Sequence, residues 1–108
     1  MADLRPQVVW SSNALADLTV IWTHYSKIAG RLTADKTARD VFAACRTLQE
    51  RPFAGRTRNE IRMGLRSIAA GPLVVFYRVG RDESAEIVRV LDRRRDVDDV
   101  FAGEGDRR

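Results

Sequence analysis

A chain of 108 residues has room for one domain, which at this size buries roughly two-thirds of the surface its unfolded form exposes. With 44% hydrophobic and 31% charged residues, 3 prolines and 7 glycines, it is neither disordered nor fibrous, and its one cysteine, Cys45, excludes an internal disulfide and a cysteine-rich zinc site. The net charge of +4 points to acidic partners, no apolar run approaches the roughly 20 residues needed to cross a bilayer, and Met1 to Pro6 has no signal-peptide core, so a cytoplasmic location without membrane contact is expected.

Gln7-Val8-Val9-Trp10 is a short β-type run, ended by Ser11-Ser12-Asn13, whose side chains suit a helix start. Leu15, Leu18, Trp22, Tyr25 and Ala29 then recur at three- and four-residue steps, which puts them on one helical face until Gly30 lets the chain turn. Thr33 is the expected cap of a second helix, with a stripe of Ala38, Val41, Phe42, Cys45 and Leu48, and Pro52 forbids its continuation. Residues 53–64 lack a period and read as a connection. Three β runs follow: 65–70, a turn at Gly71-Pro72, 73–79, a polar turn over 80–84, and 85–91. Strict alternation in the last run places Ala85, Ile87 and Arg89 on one face and Glu86, Val88 and Val90 on the other. Such short links imply an antiparallel meander, and the side on which the N-terminal strand joins it stays open. Residues 92–101 suit a short tail element. One domain over residues 1–102 is expected, with 103–108 frayed.

The positive charge is carried by arginine, since Lys27 and Lys36 are the only lysines. Within residues 51–66, Arg51, Arg56, Arg58, Arg62 and Arg66 are accompanied by a single acid, Glu60, so a basic patch is expected beside the first run of the meander. A guanidinium fork binds carboxylates and phosphates alike, and the patch does not by itself separate a protein partner from nucleic acid. Phe53, just after Pro52, either covers the helix ends or meets a partner. Surface ion pairs contribute about 0–1 kcal/mol, so stability gives little reason for the adjacent Arg93, Arg94 and Arg95. Trp10, Trp22 and Cys45 are expected in the core.

Catalysis finds less support. Cleavage of RNA through its 2′-hydroxyl needs a proton acceptor, a proton donor and a cation at the phosphate, and only the cation is plentiful. His24, the sole histidine, is placed on the first helix, away from the sheet's basic residues. Tyr77 lies inside an apolar strand and reads as core. Phosphate-binding glycine loops and hydrolase or metalloprotease motifs are missing from the sequence, and Asp96, Asp98 and Asp99 lack the spacing of a calcium loop and read as charged surface. Neither metal nor cofactor is implied, and no enzyme is expected.

Taken together, Gly64-Leu65-Arg66, Val75-Phe76-Tyr77-Arg78 and Ile87-Val88-Arg89-Val90-Leu91 before Arg94-Arg95-Asp96, preceded by two amphipathic helices, resemble the ParE branch of the ParE/RelE toxins of bacterial toxin–antitoxin pairs. The resemblance covers about residues 7–101. It implies an α+β fold, β-α-α-β-β-β, with a helical hairpin packed on a small, mainly antiparallel sheet and a short C-terminal element. It also implies a toxin that binds DNA gyrase and blocks replication, that is neutralised by a ParD-type antitoxin, and that touches DNA only through antitoxin or gyrase. Candidate contacts for antitoxin or gyrase are Phe53, Arg58, Arg62, Arg66, Arg78, Arg89, Arg93, Arg94 and Arg95. A RelE-like ribosome-dependent endoribonuclease that uses arginines and Tyr77 is the alternative. A plain basic nucleic-acid-binding domain is a third reading, but neither an aromatic-interleaved RNA-binding strand nor a recognition helix is evident.

Overall fold

The computed structural model of the chain describes residues 7–105. It runs β1 (Val8–Trp10), α1 (Ser12–Ala29), α2 (Arg31–Glu50), β2 (Arg56–Thr57), β3 (Arg66–Ala70), β4 (Leu73–Val79), β5 (Ala85–Asp92) and α3 (Val97–Gly105). The strands form one sheet in the order β1-β5-β4-β3-β2, antiparallel except where β1 runs parallel to β5. This is the α+β hairpin-on-sheet fold expected from the sequence, and it settles the open point: the N-terminal strand lies beside the last one. Met1 to Pro6, read as lacking a signal core, and residues 106–108 of the expected frayed tail lie outside the described residues. Residues 103–105 of that tail belong to α3. No helix among the described residues is long and apolar enough to cross a membrane.

Ser11 starts α1: its hydroxyl accepts from the Ala14 amide at 3.0 Å and donates to the Val88 carbonyl, so the cap also ties the helix to β5. The hairpin turn differs from expectation. Gly30, at φ +90° and ψ 166°, ends α1 and starts α2 alone, a conformation in which only glycine is at ease. Thr33 therefore lies inside α2, where its carbonyl accepts from the Thr37 hydroxyl. The stripes are also rotated from those read in the sequence. Ala14, Leu18, Ile21 and Tyr25 on α1 and Ala34, Val41, Ala44, Cys45 and Leu48 on α2 turn inward, while Leu15 and Phe42 are exposed. Phe42 lies over Trp10, with ring centroids 6.2 Å apart. Burial pushes the Cys45 thiol up to about 11, in keeping with its packing role.

Both faces of the sheet are covered. Toward the hairpin lie Leu73, Val75, Tyr77, Ala85, Ile87 and Val90. On the opposite face Phe76, Leu91 and Leu65 pack with Phe101 of α3. Double coverage is why β4 reads as an almost continuous apolar run. Asp96 starts α3 by accepting from the Asp99 amide, and Asp98 and Asp99 sit in its first turn, where acids are favoured. The acidic run is a helix start.

Strict alternation fails in β5. Phe76 pairs with Arg89 and Tyr77 with Ile87, which makes Val88 an extra residue in the ladder. The bulge returns Val90 to the face of Ile87, against expectation. A second difference is β2, which lies within the stretch read as a connection and pairs Arg56 with Ser67 and Thr57 with Arg66.

Candidate functional site

The nine candidate residues are dispersed: Phe53, Arg58, Arg62 and Arg66 make ring contacts around β2 and β3, Arg78, Arg89 and Arg93 lie apart from one another, and Arg94 and Arg95 form a third place. At the end of α2, Ala54 donates to the Arg51 carbonyl and the chain turns toward β2. Phe53 is left 55% exposed at this corner. The Arg66 guanidinium lies 5.0 Å from the Phe53 ring centroid and donates to the Gly55 carbonyl at 2.8 Å and more weakly to that of Phe53 at 3.4 Å. On the far face of the sheet Arg58 lies 5.4 Å from the Phe76 ring and donates to Glu60 at 2.8 Å and to the Ser67 hydroxyl at 3.3 Å. Arg62 lies 5.1 Å from the Phe101 ring and donates to the Phe101 carbonyl. Three guanidinium groups thus lie 5.0, 5.1 and 5.4 Å from the centroids of three aromatic rings, of which Phe53 is exposed and Phe76 and Phe101 are buried. The Arg58 side chain holds the Glu60 carboxyl below its usual range.

The other candidates lie elsewhere. Arg78, on the same sheet face as Phe76, pairs with Glu86 directly across the β4–β5 ladder at 2.8 Å. Arg93 donates to the Gly71 carbonyl and secures the β3–β4 turn, where Gly71 has φ +59°. Arg89 is part of the scaffold: its Nε and Nη2 donate to the two Asp17 oxygens at 2.6 and 2.7 Å, and the Val90 amide donates to Asp17 as well. Both side chains of this pair are mostly covered, at 16% and 13% exposure.

The third place was not foreseen. Arg94 and Arg95 border a groove of about 540 Å³ between α1 and the end of β5. Its α1 wall includes Ala16, Val20, Ile21, His24 and Tyr25, and Leu91 contributes from β5. His24 faces the same hollow as Arg94 and Arg95, which lie beyond the end of β5. The Tyr25 hydroxyl donates to Asp92 at 2.9 Å, and Arg94 donates to the same carboxylate through its side chain and backbone amide. Burial alone would raise the Asp92 carboxyl, but these donors outweigh it and bring it down to about 2. Tyr25 moves up, through burial first and then through Asp92, and stays a donor. One signal for this groove was present in the sequence: Ala16 and Val20, four apart on α1, are apolar off the main stripe.

The lowered Asp92 gives a signed pH dependence. An unfolded aspartate titrates near 3.9, so the contribution of Asp92 is complete above about pH 4 and is lost as the pH falls toward 2. Urea melts between pH 5 and pH 2 are expected to show the native chain losing ~2 kcal/mol more than Asp92→Asn. Equal losses would mean that Asp92 is not held by Tyr25 and Arg94.

Tyr77 is fully buried, and its hydroxyl accepts from the Gly55 amide at 2.8 Å. Burial raises its pKa, against the opposing effects of Gly55 and Arg66. The core placement expected for it is what the structure has.

Comparison with known proteins accords with this geometry. Residues 8–97 match the family described as ParE toxin of type II toxin–antitoxin system, parDE. The chain is 41% identical over 81 residues to Toxin ParE1 of Caulobacter vibrioides, covering 75% of this chain and 82% of that protein. It is 36% identical over 88 residues to Toxin ParE1 of Mycobacterium tuberculosis, covering 82% and 90%. Among solved structures, a chain of the chromosomal ParDE system from P. aeruginosa superposes with a TM-score of 0.70 at 25% identity, covering 83% of this chain and 98% of that one. A chain of the RelBE2 toxin–antitoxin complex from Mycobacterium tuberculosis shares the fold, with a TM-score of 0.58 at 22% identity over 82% and 99%. On the family match and the identity to these relatives, the chain belongs to the ParE toxins of type II toxin–antitoxin systems.

Proposed function

We propose that this toxin acts by binding, that DNA gyrase is its target, and that a ParD-type antitoxin neutralises it, in the cytoplasm and without a cofactor. The observation that carries the reading is the corner where the exposed Phe53 ring has the Arg66 guanidinium 5.0 Å from its centroid. Such a surface offers fixed positive charge and an exposed aromatic anchor, the residue types that dominate binding energy at interfaces. It is less suited to proton transfer: the arginines stay charged at every working pH. The one sheet tyrosine is buried with its hydroxyl committed to a backbone amide, which counts against an endoribonuclease built on Tyr77. The antitoxin part rests on family membership and on the ParDE system whose toxin-like chain this one resembles.

Plasmid supercoiling by purified gyrase with increasing amounts of the toxin is the test. Lost supercoiling together with trapped linear DNA is expected, and Phe53→Ala combined with Arg66→Gln should require roughly tenfold more protein for the same effect. Melting curves must show the double variant folded. Normal supercoiling in the presence of folded toxin would sink the gyrase reading, and translation-dependent RNA cleavage would then be measured.

A further inference from the structure

The sheet ends at β2, and this open edge is rich in donors. Arg56 pairs with Ser67 and Thr57 with Arg66, and the Arg58 amide donates to the Leu65 carbonyl at 2.7 Å. Bonds along an antiparallel pair alternate, so residues 56 and 58 turn their amides toward β3 and the Thr57 amide points out from the edge. Side chains alternate as well: Arg56 shares the far face of the sheet with Ser67, whereas Thr57 shares the hairpin face with Arg66. Arg56 and Thr57 are both exposed.

The cations at this edge are not neutralised. Glu60 is the one acid in residues 51–66, and although its carboxyl also feels Arg56, it is bonded to Arg58 at 2.8 Å. Among the described residues Arg51 and Arg56 form no ion pair. Arg51 is exposed and opens the turn that the Ala54 amide closes. Arg66 is held through Nη1 by the Gly55 and Phe53 carbonyls, which leaves its Nε and Nη2 for a ligand. A strand of two residues is too short a ladder for an added peptide strand. A phosphodiester backbone carries charge and acceptor oxygens at every repeat and can run along the edge from one cation to the next. Phosphate contacts of this kind position a protein without reading sequence.

We infer that the β2 edge binds the phosphate backbone of duplex DNA, with Arg51, Arg56 and Arg66 as the cations and the Thr57 amide as a neutral donor between Arg56 and Arg66. The choice of DNA rests on the gyrase reading above. What the inference adds is that the toxin touches the DNA itself, where the family resemblance implied contact only through antitoxin or gyrase.

The test is fluorescence anisotropy of a labelled mixed-sequence DNA duplex with the full-length toxin and each variant, between about 50 and 200 mM salt. Three phosphate contacts imply a roughly 40-fold loss of affinity over that range, since each releases about 0.9 counterion. Arg56→Gln and Arg51→Gln, both at exposed positions, should each bind more weakly and reduce that loss to about tenfold. Arg31→Gln, exposed at the opposite end of α2 from Arg51, is the control and should keep the native salt dependence. A native toxin that inhibits gyrase yet shows no salt-dependent binding to the duplex would overturn the inference and leave the gyrase reading intact. Binding that depends on Arg56 and Arg51 beside normal supercoiling would do the reverse, keeping the edge contact and removing gyrase as its setting. Native salt dependence in folded Arg56→Gln and Arg51→Gln, or flattening by Arg95→Gln instead, would overturn the assignment to the β2 edge. Tighter binding to a single-stranded RNA of the same length would overturn the assignment to DNA.

Discussion

Replacing Asp17 by alanine is expected to destabilise the fold by ~3 kcal/mol, near the lower end of what breaking a buried ion pair costs. Asp17 sits on α1 and serves three donors on β5: Nε and Nη2 of Arg89 and the amide of Val90. Alanine deprives Arg89 of this carboxylate and takes the acceptor from a part-buried amide, a loss that by itself costs about 1–3 kcal/mol. The bulge at Val88 makes the carboxylate necessary, because the ladder cannot serve the Val90 amide on the side where β1 has ended. Asp17→Asn, which keeps an acceptor oxygen but loses the charge, should cost less. Urea denaturation of both variants is the measurement. An unchanged midpoint for Asp17→Ala would mean that the pair contributes nothing net, as many exposed pairs do. A fall confined to Asp17 and Arg89 variants would explain any loss of toxicity at Arg89 through stability, removing it from the contact candidates.

Some elements were legible because a single local signal decided them. β4 is bounded as the sequence read it, since an apolar run between Gly71-Pro72 and Gly80 leaves little choice. Gly30 marked the hairpin turn, but its own backbone angles complete that turn, which made a cap at Thr33 unnecessary. The helix stripes were misplaced for a reason that lies outside the helix. Ala14 is fully buried and Leu15 exposed: the Ser11 cap, tied to both the Ala14 amide and the Val88 carbonyl, fixes which side of α1 meets β5, whereas hydrophobic periodicity favours the larger residue. β2 has two polar residues and exists through its pairing with β3, so no periodic signal announces it. The bulge in β5 is a register event, decided by the partner strand and by Asp17 on another element.

The candidate site divides in the same way. Arginine clustering near residues 56–66 was visible as composition, and the structure brings Arg58, Arg62 and Arg66 onto rings from three different segments. The groove was not visible: the contact of Tyr25 with Asp92 joins residues 67 positions apart. Nothing in either local sequence specifies the other. What the sequence did supply was a second, short apolar row on α1, which the packing against β5 leaves uncovered at Val20.

Gly55→Ala is expected to cost ~3 kcal/mol or more, at or above the upper end of ordinary overpacking. The reason is space rather than backbone freedom. A Cβ on Gly55 would stand 2.5 Å from the Tyr77 hydroxyl, 2.6 Å from the Ser67 carbonyl oxygen and 2.7 Å from Tyr77 Cε1. Tyr77 is fully buried and the Ser67 oxygen belongs to the backbone of β3, so neither moves away cheaply. Relief requires lifting residues 53–57 off the sheet, which would break the bond from the Gly55 amide to Tyr77 and that from Arg66 to the Gly55 carbonyl. For a domain of this size the loss corresponds to a melting temperature lower by more than ~10 °C. Adding Tyr77→Phe removes the closest clash but not the one with Ser67, so the double variant should recover only part of the loss. Because Phe53 and Arg66 are positioned by the same segment, the gyrase inhibition proposed above should fall with it even below the melting transition. A Gly55→Ala protein that melts like the native chain would show that this segment does not press on β3 and Tyr77. The Phe53–Arg66 corner would then have no rigid base from which to present its charge.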